Sequence, residues 1–106
     1  MTIYSLKEII SRKPIPGFDL KFIHGENMTS AHWQIDKDAA LPEHSHPHEQ
    51  FCIVLEGKLE LIIDGEVHIM QSGKVAVIPG NTPHSGKAIT DCKVLDVFCP
   101  VREDFV

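Results

Sequence analysis

The sequence predicts an all-β domain, a sandwich or small barrel of about eight short strands. Three observations carry this. Short runs rich in alternating apolar residues recur along the chain, with turn residues between them. Two of the runs are joined by Asp64-Gly65, a two-residue hairpin signal. Only one stretch, near the N-terminus, has the pattern of a helix. The candidate strands are 18–24, 30–36, 50–56, 58–64, 66–71, 74–78, 86–90 and 92–98. No linker, repeat or low-complexity stretch interrupts them, so residues 1–106 are read as one domain.

In chain order, Ser5-Leu6-Lys7-Glu8 has the form of a capping box, in which Ser and Glu satisfy the first free N–H groups of a helix. It predicts a short helix over 5–11, ended by Pro14 and Pro16. From Gly17 onward, turns fall at Gly25-Glu26-Asn27, Glu56-Gly57-Lys58, Asp64-Gly65-Glu66, Ser72-Gly73 and Pro79-Gly80-Asn81. Gly and Asn tolerate positive φ there, and Pro presets its own. Leu61, Ile63, Val67 and Ile69 flank Asp64-Gly65 with a period of two, as a hairpin requires. In 50–55, Gln50, Cys52 and Val54 share one face, and Phe51, Ile53 and Leu55 the other. Apolar residues on both faces predict cover on both. The second cover is either a second copy of the chain or the N-terminal segment, and a homodimer is the expectation carried forward.

Composition excludes several partners. A formal net charge of −5 argues against nucleic acid or an anionic membrane surface, both of which call for a basic face. No apolar run approaches the ~18 residues of a membrane span, and the N-terminus lacks a signal-peptide pattern. A cytoplasmic location is expected. Cys52, Cys92 and Cys99 are odd in number and form no CxxC pair, so they read as small apolar strand residues.

Chemistry concentrates in His44-Ser45-His46-Pro47-His48-Glu49-Gln50, which holds three of the seven histidines. In an extended chain His44, His46 and Gln50 point the same way. With His84 downstream, three imidazole nitrogens and one carboxamide oxygen make a candidate metal set. The alternative is a solvated loop of histidines. Glu49 alternates to the other face, and Pro47 leaves the direction of His48 open. All four donors are neutral, so a divalent ion would keep its full charge and act as a strong Lewis acid toward anionic or polyhydroxylated ligands. Mixed N/O donors suit Zn, Ni, Mn, Fe or Co, and spacing does not choose among them.

At the other end, Val94, Asp96 and Phe98 share a face. If it lines the barrel, an acid and an aromatic ring project toward the metal, and Arg102 reaches the barrel mouth. The alternative is that Asp96 faces water and Arg102 is a solvated terminal charge. His24, His32, His68 and Trp33 receive no assignment.

Two motifs resemble those of the cupin superfamily over roughly residues 30–100. The first reads His44-x-His46, three residues, Gln50, six residues, Gly57; the second reads Gly73, five residues, Pro79-Gly80-Asn81-Thr82-Pro83-His84. Asn81 stands in place of a glycine but tolerates the same left-handed turn. Ala88 stands where the second motif often ends in Asn. The resemblance implies a double-stranded β-helix, or jelly-roll barrel, holding a metal ion inside.

Asp96, Phe98 two residues on and Arg102 four further, together with the HSHPHEQ phrase, are similar to the KdgF family of small cupins of pectin and alginate breakdown. That family opens the ring of 4,5-unsaturated uronate monosaccharides. The resemblance implies metal binding by His44, His46, Gln50 and His84, and catalytic or substrate contacts from Asp96, Phe98 and Arg102. The expected partner is then a small anionic sugar. Two further readings stand beside it: a quercetinase-like metal-dependent dioxygenase, and a non-catalytic sugar- or small-molecule-binding cupin.

Overall fold

Nine strands and one 3₁₀ turn make up the regular structure of the computed structural model, which describes residues 1–106. The strands are β1 (Phe18–His24), β2 (Thr29–Ile35), β3 (Ala40–His44), β4 (Glu49–Glu56), β5 (Lys58–Ile63), β6 (Glu66–Gln71), β7 (Val75–Ile78), β8 (His84–Ala88) and β9 (Cys92–Cys99). They form two antiparallel sheets, ordered β1-β2-β9-β4-β7 and β3-β8-β5-β6. The predicted hairpin joins β5 to β6, with Asp64 (φ 49°) and Gly65 (φ 81°) both at positive φ, the primed turn that matches strand twist.

Alternation along each strand builds the core. On β4 Gln50, Cys52 and Val54 point inward, and on β9 Cys92, Val94, Asp96 and Phe98 do. Val54 and Val94 meet Leu59 and Leu61 of β5 and Met70 of β6 across the gap between the sheets. Burying a side chain such as Val54 contributes about 1.5–3 kcal/mol relative to leaving it in water. Toward one end the interior stays open. There Asp96 lies in register with Cys52 on one side and Ala31 on the other, and these small neighbours leave room around its carboxyl.

The structure differs from the sequence reading in three places. The predicted helix over 5–11 is a single 3₁₀ turn, Leu6–Glu8. Ser5 makes no side-chain cap and the turn buries no residue, so nothing offsets the cost of nucleating a longer helix. An unpredicted strand, β3, runs over Ala40–His44. Pro42 masks it in the sequence, yet it is an edge strand with an irregular register between Leu41 and His44, a place where proline is tolerated. Finally, β8 begins at His84 rather than 86, in register with His44 of β3.

The chain changes sheet six times, and two of these crossovers, β3 to β4 and β7 to β8, lie side by side. The Asn81 N–H donates to the His46 carbonyl (2.7 Å). Asn81 adopts φ 63°, the left-handed turn expected of it, and a Cβ on Gly80 would collide with the Pro47 carbonyl.

The outer face of the larger sheet is apolar. Val77, Phe51 and Val97 form one cross-strand row and Val75, Ile53 and Leu95 the next. Phe51 and Leu55 remain 43% and 50% exposed, so the N-terminal segment does not cover them.

Candidate metal centre

Backbone register and a turn bring the histidines together. His44 closes β3 and His84 opens β8 as its cross-strand neighbour, with ring centroids 4.3 Å apart. His46 lies in the crossover that follows, 5.0 Å from the His84 ring and 5.8 Å from that of His44. The convergence therefore arises where the chain turns between sheets, not from alternation within one strand.

Each ring is held the same way. Nδ1–H donates to a main-chain carbonyl: His44 to Pro42 (2.9 Å), His46 to His48 (3.1 Å) and His84 to Thr82 (2.8 Å). That bond fixes the tautomer and leaves each Nε2 with a free lone pair, the usual orienting device around a bound metal. The three ligand nitrogens lie within 4.8 Å of one another. Burial pushes His46 down to about 4, with the nearby Arg102 charge and His84 adding to the effect, and burial lowers His84 as well. Both rings are therefore neutral near pH 7, the state a metal requires.

Two local contacts fit a cation at this point. His84 Nε2 is buried without a hydrogen-bond partner. His46 Nε2 lies 3.1 Å from Gln50 Oε1, although its proton sits on Nδ1, so two acceptors face one another. A positive ion between these groups satisfies all of them, so the residues present fit a metal ion.

The C-terminal candidates face the same cavity. Asp96 is 8% exposed, and the Trp33 indole N–H donates to its Oδ2 (3.0 Å). Oδ1 has no partner; Gln50 and Cys52 lie near without completing a bond to it. Burial pushes the Asp96 carboxyl up to about 6, opposed by these polar neighbours and by Arg102. Phe98 is 2% exposed, and its ring sits 5.5 Å from that of His46. Arg102 is only 12% exposed along its side chain, with its guanidinium over the rings of Phe98 (4.5 Å) and Phe105 (4.3 Å). The water-facing alternative for both charged residues is thus excluded.

These groups line a cavity of about 450 Å³ whose remaining wall is mostly apolar, including Trp33, Leu41, Leu59 and Leu61. The unassigned histidines divide. His48 Nε2–H donates to the Val101 carbonyl (3.2 Å), and His24 bonds Thr29 and the Phe105 carbonyl, so both hold the C-terminal turn. His32 bonds Ser30 (3.0 Å), and His68 is on β6, 3.9 Å from Glu66, so both stand apart from the cavity. The sequence reading also passed over Asp104 and Phe105, whose available signal was their two- and three-residue spacing from Arg102.

Comparison with known proteins agrees with this geometry. The chain is similar to the pectin degradation protein KdgF of Dickeya dadantii, 33% identical over 72 residues, covering 66% of each chain. It is 51% identical over 51 residues to quercetin 2,3-dioxygenase of Bacillus subtilis, a match spanning 46% of this chain and only 15% of that protein. Among solved structures, KdgF from Halomonas sp. superposes with a TM-score of 0.94 at 27% identity, covering 100% of this chain and 99% of that one. An RmlC-like cupin from Shewanella frigidimarina has the same fold, with a TM-score of 0.94 at 23% identity over 100% and 96% of the two chains. Residues 31–98 match the cupin domain, a span that takes in the β3–β4 and β7–β8 crossovers and every histidine of the cluster. The chain belongs to the cupin family.

Proposed function

We propose that this cupin is an enzyme that opens the ring of 4,5-unsaturated uronate monosaccharides released from pectin or alginate. The observation that carries the reading is the convergence of three groups on one cavity: the three-histidine cluster, the unpartnered Oδ1 of buried Asp96, and Arg102. The likeness to KdgF proteins supports it.

His44, His46 and His84, with Gln50, would hold one divalent transition-metal ion: Zn, Ni, Mn, Fe or Co. When bound, such an ion supplies Lewis acidity toward a sugar oxygen. Arg102 binds the carboxylate of the anionic sugar through its planar donors. Phe98 packs against the ring and keeps water from the reacting carbons.

Ring opening breaks the C1–O5 bond of the hemiacetal. The anomeric hydroxyl loses its proton, C1 becomes an aldehyde, and O5 leaves as the oxygen of an enol. A proton then arrives at C4 and the enol becomes a ketone, so no atom is gained or lost. Asp96 carries the proton at Oδ1. Its position in a water-poor wall, with an affinity for protons raised toward neutrality, suits a group that both takes and gives.

The test is incubation of metal-loaded protein with unsaturated galacturonate or its guluronate counterpart, following loss of the conjugated chromophore. Acceleration that disappears in Asp96→Asn is expected. A rate equal to buffer sinks the reading. If the protein binds the sugar without turnover, and Asp96→Asn changes nothing, a sugar-binding cupin is the correct description.

A second reading, a metal-dependent dioxygenase, is favoured by the apolar cavity wall and by the likeness to quercetin 2,3-dioxygenase. Oxygen uptake with a flavonol distinguishes it. We also propose a homodimer, closed over the rows Val77-Phe51-Val97 and Val75-Ile53-Leu95; Phe51→Glu is expected to halve the mass measured by light scattering. Three free cysteines suit a reducing, cytoplasmic setting. No helix is long and apolar enough to cross a membrane.

A further inference from the structure

The segment after β9 is built around Arg102 from several directions. Its guanidinium sits in the corner formed by the perpendicular rings of Phe98 and Phe105. Asp104 grips one edge of it, with Nε–H donating to Oδ1 (2.9 Å) and Nη2–H to Oδ2 (2.7 Å). The backbone is pinned as well. The Arg102 N–H donates to Thr29 Oγ1 (2.9 Å), whose own hydroxyl donates to His24 Nδ1 (2.8 Å). His24 Nε2–H then donates to the Phe105 carbonyl (2.9 Å), and the Phe105 N–H returns to the Arg102 carbonyl (3.1 Å).

Five guanidinium hydrogens are available, and Asp104 takes two of them. Both Nη1 hydrogens and one on Nη2 are left, on a residue that lines the cavity. The remaining edge has the geometry of a second bidentate carboxylate site. The burial also differs sharply: the Arg102 side chain is 12% exposed and that of Asp104 is 60%. The acid grips its partner from the solvent side.

We propose that Asp104 is a positioning residue, which holds Arg102 so that its free edge receives the carboxylate of the sugar. The inference rests on the uronate reading given above and assigns the selectivity for an acidic sugar to the C-terminal turn. The advantage is preorganisation. A free arginine loses rotamer freedom on binding, whereas this one has already been ordered before the ligand arrives.

The experiment compares binding of galacturonate with that of galactose to metal-loaded protein, read from the fluorescence of Trp33, the single tryptophan and a residue of the cavity wall. Wild type is expected to prefer galacturonate. Asp104→Asn is expected to weaken galacturonate roughly tenfold while leaving galactose unchanged, and Asp104→Glu to restore part of the preference. A general loss of folding would move both sugars together, and an unchanged melting temperature controls for it. A preference that survives Asp104→Asn, or that rises because Asp104 competes for the arginine, overturns this inference and leaves the uronate reading standing. A wild type that does not distinguish the two sugars overturns both.

Discussion

The two poles of the cavity are built on opposite principles. At the histidine pole the donors are imidazole nitrogens and a carboxamide oxygen, and each ring is oriented by a main-chain carbonyl of β3 or of a turn. At the C-terminal pole the groups are charged, and side chains orient one another: Asp104 grips Arg102, and Phe98 and Phe105 pack against it. The difference follows from solvent. Deep in the barrel an unpaired charge is costly, so the protein offers lone pairs and leaves the charge to an incoming ion. Near the mouth a paired cation is tolerated and remains available to an anion from solution.

Substitutions that disable one pole should leave the other intact. The largest effect is expected from His84→Ala, which removes a nitrogen donor with no substitute nearby; elemental analysis should show metal at background, and turnover should vanish with it. Wild type holding no more metal than this variant would contradict the role given to the cluster. Asp96→Asn should retain the metal and lose roughly 10²-fold or more in turnover, the usual scale of a proton-transfer group. Arg102→Lys, which keeps the charge but loses the planar fork, should raise KM for the uronate by roughly tenfold with metal content unchanged.

Two milder perturbations sharpen the contrast. Stripping the ion with a chelator should lower the melting temperature by roughly 10 °C when the metal is present at about 100 times its Kd, since binding then adds about 2.7 kcal/mol. The smallest response is that of the charged pole to pH. Hydrogen bonds from Arg102 and its charge hold the Asp104 carboxyl down to about 2, below the ordinary 3.8. Its contribution is therefore complete above about 4 and lost only as pH falls toward 2. The Arg102 Nε–H resonance should follow that step with a midpoint near 2; a midpoint near 3.8, the ordinary carboxylate value, would mean the pair is not formed in solution.

Legibility in the sequence follows the same division. Fixed spacings between turn residues and donors reveal the histidine pole, because His44, Gln50 and His84 sit at defined offsets from Gly57, Gly73 and Pro79. What spacing does not reveal is how they converge: β3 is hidden by Pro42, and His46 reaches the others through a turn rather than by strand parity. The charged pole depends on contacts distant in sequence. Thr29 and Arg102 are 73 residues apart, and His24 and Phe105 are 81, so no local pattern announces them. The predicted N-terminal helix failed for a related reason. A capping signature acts only on a segment that some surface stabilises, and Leu6–Glu8 has none.

The placement of the histidines at the β3–β4 and β7–β8 crossovers has a mechanical consequence. Between the sheets the core adheres by non-directional apolar contact, and the opposite end is tied by hydrogen bonds, such as Lys37 N–H to Asp91 Oδ1 (2.8 Å) and Lys58 N–H to Thr90 Oγ1 (3.0 Å). At the histidine end Asn81 already stitches one crossover to the other, and an ion gripped by His44, His46 and His84 would act as a rivet through both. The barrel would then breathe from its unriveted end, and release of the ion would wait on a parting of the sheets. Amide exchange at Asn81 should be the first to slow when metal is added.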